Sequence, residues 1–241
     1  MLGSGGWMAT LRRATSCLLW TSPAGALMLD AGTGVAALCQ QPTLIGDAGK
    51  LDVVLTHFHL DHIAGLTYLP AIATQTEITV WAPGQLLNGT ASSAILQTLV
   101  DDPYLSIDLP QFARVQELKA GGNTIGAFSV EARVQKFHPG GSVGLRIGDE
   151  LAYCADTAPD PGTSGFAHEV GTLVHEAWTI ENPSAEHSSA ASAARTAADA
   201  GVGRLVLSHV HPLADDPVGL LAAARPIFPN AEVGYDGMDI G

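Results

Sequence analysis

Thr56-His57-Phe58-His59-Leu60-Asp61-His62 is the stretch on which the reading of this chain turns. Four side chains able to ligate a metal fall within six residues, directly after the β-like run Asp52-Val53-Val54-Leu55. In a strand-to-helix loop, alternation sends His57 and His59 to one side while Asp61 and His62 turn toward a neighbouring point, an arrangement that suits two metals about 3.5 to 4 Å apart. Imidazole and carboxylate donors without thiolate favour zinc and also admit manganese or iron. The chain has only nine histidines, so three of them beside an aspartate in one short loop are more than a solvated turn requires. Two coordination spheres need further ligands, and isolated candidates stand at the ends of other β-like runs. His138 follows a run ending at Phe137, Asp156 lies in Tyr153-Cys154-Ala155-Asp156-Thr157, and His209 follows Leu205-Val206-Leu207-Ser208. His211 competes with His209, and the position immediately after the strand favours His209.

Composition bounds the rest. With 241 residues and 46% hydrophobic side chains the chain suits one globular domain spanning 1–241. Acidic side chains outnumber basic ones by 24 to 11, for a formal charge of −13, so no broad cationic face for nucleic acid is expected. Cys17, Cys39 and Cys154 are odd in number and widely spaced, which fits a reducing, cytoplasmic setting better than a disulfide framework. No apolar run reaches the roughly eighteen residues of a membrane helix, and the Cys17-Leu18-Leu19-Trp20 stretch after Arg12 and Arg13 is too short for an export signal.

Strands are expected at Ser16 to Trp20 and Ala26 to Asp30, paired as a hairpin across Ser22-Pro23-Ala24-Gly25, then at Asp52 to Thr56, Thr76 to Trp81 and Phe128 to Phe137. Val143 to Ile147, a Gly148-Asp149 turn, Leu151 to Cys154, Thr172 to His175 and Arg204 to Ser208 continue the style. Helical spacing covers Ile63 to Ala73, Asn88 to Val100 and the alanine-rich Ser188 to Ala200, which Gly201 is placed to end. Strand-rich halves with helices on their outer faces imply an α+β fold, a four-layer αββα sandwich. The irregular stretch Asp101 to Gln111, with an aromatic at Tyr104, is expected to rim a site.

The ligand constellation closely resembles that of the metallo-β-lactamase superfamily, over nearly the whole chain. In that resemblance His57, His59 and His138 hold one metal, Asp61, His62 and His209 the other, and Asp156 bridges them. Leu2-Gly3-Ser4-Gly5-Gly6, Arg13, Ser16 and Asp30-Ala31-Gly32-Thr33-Gly34 look like the first turns of the ribonuclease Z branch. Thr172-Leu173-Val174-His175-Glu176-Ala177 matches that branch's His-Glu-Ala segment, with Trp178 where threonine is usual, and His187-Ser188-Ser189 resembles its His-Ser-Thr segment. The resemblance makes His187 the acid that protonates the leaving group, at the electropositive start of a helix capped by Ser188 or Ser189. Glu176 is placed to orient His187, and a buried structural pair of His175 and Glu176 is an equal reading. His168 reads as an exposed loop residue. The glycines at 3, 5 and 6 suit either backbone contacts to a phosphate or a tight turn.

One departure matters. The tRNA-processing enzymes carry a long arm between the third-motif histidine and the bridging aspartate, whereas here His138 and Asp156 are 18 residues apart, an interval two strands and a turn use up. Without the arm, and with an acidic surface, the resemblance implies a phosphodiesterase for a small or cyclic phosphodiester, in which a hydroxide bridging two zinc ions attacks phosphorus. Its partner is a small anionic substrate rather than tRNA or a large duplex, with no membrane and with a homodimer left open. Hydrolysis of another ester or thioester, ribonuclease Z-like RNA cleavage, and a non-enzymatic accessory role are the competing readings. A β-lactamase is expected to be exported and to lack the bridging aspartate, and glyoxalase II needs a further helical domain where only about thirty residues follow His209.

Overall fold

Alternation along each strand decides which way its side chains point, and in this protein both directions are apolar. On Gly25–Leu29, Ala26 and Met28 face one way and Leu27 and Leu29 the other, all buried. On Arg204–Ser208, Leu205 and Leu207 oppose Val206 in the same manner. Strands buried on both faces belong to the inner layers of a sandwich with helices outside. The computed structural model, which describes residues 1–46 and 49–241, has that architecture.

One sheet holds β1 (Leu18–Ser22), β2 (Gly25–Leu29), β3 (Lys50–Val54), β4 (Glu77–Ala82) and β5 (Arg114–Glu117), in that spatial order. The other holds β6 (Gly121–Ile125), β7 (Phe128–Gln135), β8 (Ser142–Ile147), β9 (Leu151–Cys154), β10 (Thr172–Glu176), β11 (Arg204–Ser208) and β12 (Ala231–Val233), in the order 12-11-10-9-8-7-6. Over the first sheet lie α1 (Ala36–Gln40), α2 (Leu60–Ile63), α3 (Leu69–Ile72) and α4 (Ser92–Val100). Over the second lie α5 (Gly162–Phe166), α6 (Ala190–Ala200) and α7 (Pro217–Ala224). Three apolar clusters separate the four layers. Leu38, Leu69 and Leu96 pack on the outer face of the first sheet, Phe166, Ala194 and Leu220 on that of the second, and Leu27, Leu29, Val54, Val130, Val174 and Val206 fill the space between the sheets.

The hairpin of β1 and β2, the strands β8 to β11 and the helix α6 lie where the sequence places them, within two residues at each end. Ser189 caps α6 through a reciprocal pair with Ser192, and Gly201 ends it in the left-handed region at φ 68°. The expected helix over 63–73 is instead a broken run of α2, a 3₁₀ turn and α3. Gly65 packs on the Gly32 carbonyl, and Pro70 has no N–H to continue a ladder. The helix expected from Asn88 begins only at Ser92, whose hydroxyl is drawn to the Ala82 carbonyl and Glu117. Residues 101–111 do not rim the site: Leu105, Ile107 and Leu109 pack into the outer cluster of the first sheet. Strands β5, β6 and β12 escape the sequence pattern because they are short edges, one opening on Gly121-Gly122.

Strand direction places the site. β2 to β5 run parallel, as do β9 to β12, and β7 runs with β9 because β8 is antiparallel to both. The carboxyl ends of β2, β3, β7, β9 and β11 lead within three residues to Asp30, His57, His138, Asp156 and His209, and β10 ends on Glu176. No helix among the described residues is long and apolar enough to cross a membrane. Because Leu27 is wholly buried between the two sheets, Leu27→Ala is expected to destabilise the protein by about 2 to 5 kcal/mol. A shift of the urea midpoint with little change in slope is the measurement that checks this.

Candidate functional site

The loop after β3 delivers its histidines as a strand-to-helix turn. His59 is the extended residue before α2, so His57 and His59 project from the loop while Asp61 and His62 sit in the first helical turn. Their ligating atoms converge in two groups with those of the other strand ends. His57, His59, His138 and Asp156 form one; Asp61, His62, Asp156 and His209 form the other, with the candidate atoms of each group within 4.8 Å of one another. Asp156 belongs to both. Its Oδ2 faces His57 Nε2 at 3.6 Å and His138 Nε2 at 3.7 Å, and its Oδ1 faces His62 Nε2 at 3.2 Å and His209 Nε2 at 2.9 Å.

The donor set fits cations better than it fits itself. His138 Nε2 lies 3.1 Å from His59 Nδ1, and His62 Nε2 lies 3.3 Å from His209 Nε2, so ring nitrogens point at one another across each group. His57 Nε2 and His209 Nδ1 are buried without a hydrogen-bond partner. Such atoms are costly unless something else satisfies them, and a metal ion in the first group does so for His57 Nε2. Burial works against charge on His62 and His209, yet Asp156 and its fellow carboxylates outweigh it. They hold both histidines above the usual imidazole range, His209 at about 10. The field that draws protons there also favours a bound cation.

A buried second layer fixes the rings. Asp30 is fully enclosed and accepts from the Thr56 N–H at 2.8 Å, the Thr56 hydroxyl at 2.9 Å, His62 Nδ1 at 2.8 Å and the Tyr153 hydroxyl at 3.0 Å. With its only proton on Asp30, the Thr56 oxygen accepts from His57 Nδ1 at 3.0 Å, which leaves the Nε2 lone pair of His57 for a ligand. Gly6 lies where a Cβ would collide with the His209 ring. The N–H groups of Gly3, Gly5 and Gly6 go to the carbonyls of Cys17, Ala14 and Val210, so these glycines serve close packing and are not a backbone cradle for phosphate. Among the described residues, four of the five non-glycine residues with positive φ, namely Trp7, Asp30, Asp156 and His209, belong to this site. Strain so concentrated marks a place where geometry takes precedence over backbone comfort.

His187 lies just outside the two groups. Its Nδ1–H donates to Glu176 Oε2 at 2.9 Å, and the other Glu176 oxygen accepts the Thr157 N–H. The His187 ring stacks on Trp178 with centroids 4.8 Å apart and planes 23° apart. Burial lowers the His187 pKa, but the Glu176 carboxylate overrides this and raises it above the ordinary value. Glu176 thus sits where an orienting group must, whereas His175 is buried with its ring bonded to the Glu176 carbonyl and is not in the cavity lining. His211 is partly exposed against Trp178 and belongs to neither ligating group, and His168 is an exposed loop residue. The cavity over the site holds about 660 Å³ and is lined by Trp7, Leu60, Pro139, Trp178, Glu186 and His187 besides five of the candidate ligating side chains. Sequence reasoning missed Trp7 and the orienting role of Asp30. An aromatic after a glycine run was the only cue for the first.

A family model described as the Beta-lactamase superfamily domain matches residues 26–210. The chain belongs to the β-lactamase superfamily. Members are metal-dependent hydrolases, and the protein is a hydrolase of this fold with a His/Asp metal site. Ribonuclease Z of Gemmatimonas aurantiaca is 26% identical over 305 residues, covering 99% of this chain and 94% of that protein. An alignment of that length against 241 residues means that the relative carries segments this chain lacks. Ribonuclease Z of Nostoc punctiforme is 38% identical, but over only 38% of this chain and 32% of its own length. Among solved structures, the metallo-β-lactamase fold protein YhfI from Bacillus subtilis superposes with a TM-score of 0.81 at 21% identity, covering 98% of this chain and 96% of that one. A diphosphatase from the PhnP family gives 0.77 at 15%, covering 100% and 95%.

If the second layer orients the superfamily ligands as described, Asp30→Asn should weaken metal affinity by about ten- to a hundredfold. Asp156→Ala should cost more, since one carboxylate serves both groups. Elemental analysis after equilibrium dialysis against a graded metal buffer checks the order of the two variants.

Proposed function

We propose that the protein is a dinuclear zinc-dependent phosphodiesterase acting on a small or cyclic phosphodiester. The observation that carries this reading is His187. A histidine bonded through Nδ1 to a buried carboxylate, beside seven convergent ligating residues and open to the same cavity, has its Nε2 free to deliver a proton to a departing oxygen. His57, His59 and His138 would hold one ion, Asp61, His62 and His209 the other, with Asp156 between them. Bound ions would supply Lewis acidity toward the phosphoryl oxygens and a nucleophile from water near neutral pH. The all-nitrogen-and-oxygen donor set supports zinc and leaves manganese or iron as substitutes.

Within that scheme the chain's own residues divide the work. Glu176 holds the His187 tautomer and favours its protonated form. Trp178 fixes its ring plane. Substrate size follows from what the sheet leaves out, since β8 and β9 occupy the interval between His138 and Asp156 and no arm extends from it. A cavity of this volume suits a small ligand. Ribonuclease Z-like cleavage of RNA is the second reading, favoured by the full-length similarity to ribonuclease Z of Gemmatimonas aurantiaca and opposed by the formal charge of −13.

A panel of bis(p-nitrophenyl) phosphate, cyclic nucleotides, a precursor tRNA, a thioester and a β-lactam, run on protein of known metal content, tests the proposal. Turnover confined to the phosphodiesters supports it, and turnover of the thioester or β-lactam alone overturns it. His187→Ala should lose about 10² to 10⁴ in kcat/KM on an alkyl diester, where the leaving group needs a proton, and far less on a p-nitrophenyl diester. Equal losses would make His187 a structural residue.

The pH profile gives a separate check. Because Glu176 raises the His187 pKa, the protonated form and its pairing are complete below the unperturbed value near 6.5 and are lost as pH rises through the raised one. The alkaline limb of kcat/KM on an unactivated diester should therefore move to lower pH in Glu176→Gln.

A further inference from the structure

Two tryptophans line the cavity, and they are committed differently. The faces of Trp178 are engaged: it stacks on His187, and His211 packs against it with centroids 4.2 Å apart. Among the described residues Trp7 has one aromatic neighbour, His211, in a T-shaped arrangement with centroids 6.3 Å apart and planes 63° apart, and it remains 56% exposed. The indole leaves more than half its surface in solvent beside the candidate metal site, yet its backbone is held firmly. Trp7 occupies the left-handed region at φ 60°, which a bulky residue rarely adopts, and its N–H donates to Asp61 Oδ2 at 2.6 Å. Immediately before it, Gly6 lies flat on the His209 ring. Both anchors belong to the second group, so the backbone that carries the indole keeps a set position beside the site. Leu60, 66% exposed, and Pro139 add apolar surface to the same cavity.

We propose that Trp7 is the specificity residue of the site, an aromatic platform on which a planar ring of the substrate stacks while its phosphodiester reaches the metal cluster. The preferred substrate is then a phosphodiester bearing an aryl group or a nucleobase on the ester that is not cleaved. This rests on the phosphodiesterase reading and adds the chemistry of the flanking group. A rigid indole face rewards a flat π surface, whereas a flexible alkyl chain would lose more freedom for the same contact. The acidic chain also disfavours an anionic lipid surface as the source of the substrate.

The test compares wild type, Trp7→Ala and Trp7→Phe, at equal metal content, on four diesters that share p-nitrophenolate as leaving group. The remaining ester is thymidine 5′-yl, p-nitrophenyl, cyclohexylmethyl or methyl. Taking the variant-to-wild-type ratio of kcat/KM on each substrate cancels intrinsic reactivity. Trp7→Ala should lower the ratio for the thymidine and p-nitrophenyl diesters by roughly tenfold or more relative to the methyl diester, and Trp7→Phe should restore most of it. A loss confined to the thymidine diester assigns the platform to nucleobases, and a loss on both flat substrates assigns it to planar rings in general. Equal losses on all four would overturn the proposal, because the residue would then act through its bond to Asp61. A loss on the cyclohexylmethyl diester as large as on the flat ones would also overturn it, as simple apolar contact. Should wild type hydrolyse none of the four, the phosphodiesterase reading fails. Calorimetric binding of thymidine 5′-monophosphate against methyl phosphate then decides on the platform alone, which requires tighter binding of the former by wild type and loss of that preference in Trp7→Ala.

Discussion

A single buried carboxylate ties this structure together. Asp30, at the end of β2 and out of contact with solvent, accepts hydrogen bonds from the loop after β3 through Thr56, from the first turn of α2 through His62, and from the opposite sheet through Tyr153. A carboxylate without partners in that position would cost several kcal/mol, so each donor is effectively obligatory. Meeting its demand fixes the spacing of the two sheets at their carboxyl edge and the rotation of two imidazoles. The site is therefore organised before any ligand arrives.

From that anchor the architecture does the rest. The strands that carry the site residues run in a common direction in each sheet, so their loops open at one edge, the place where open α/β layers bind ligands. Chain order is then irrelevant to proximity. Asp61 and His209, 148 positions apart, come within 3.1 Å. Left-handed backbone at Asp30, Asp156 and His209 turns each side chain back toward the centre immediately after a strand ends, and the packed sheets hold that strain in place.

Charge is arranged on two scales. The chain as a whole is acidic, which limits its appetite for polyanions, while the site concentrates carboxylates and imidazoles about foci that attract cations. His187 stands between these regimes. It is bonded to buried Glu176 on one side and faces the cavity on the other.

The sequence by itself determined the fold class and singled out the candidate ligating residues, because both are written in local terms. Apolar runs of strand length bounded by turn residues specify layers, and His57, His59, Asp61, His62, His138, Asp156 and His209 sit at the ends of such runs. The capped helix after His187 was legible for the same reason. What depends on distant packing was not. The helical spacing of 63–73 could not reveal that Gly65 must fit beneath the Gly32 carbonyl, and the aromatic loop at 101–111 could not reveal that Leu105, Ile107 and Leu109 turn into the outer core. The glycines at 3, 5 and 6 left two readings open until the ring of His209 and the carbonyls of Cys17, Ala14 and Val210 were found against them. The placement of Trp7 was decided only in three dimensions, since its backbone N–H is held by Asp61, which lies 54 positions away in the sequence.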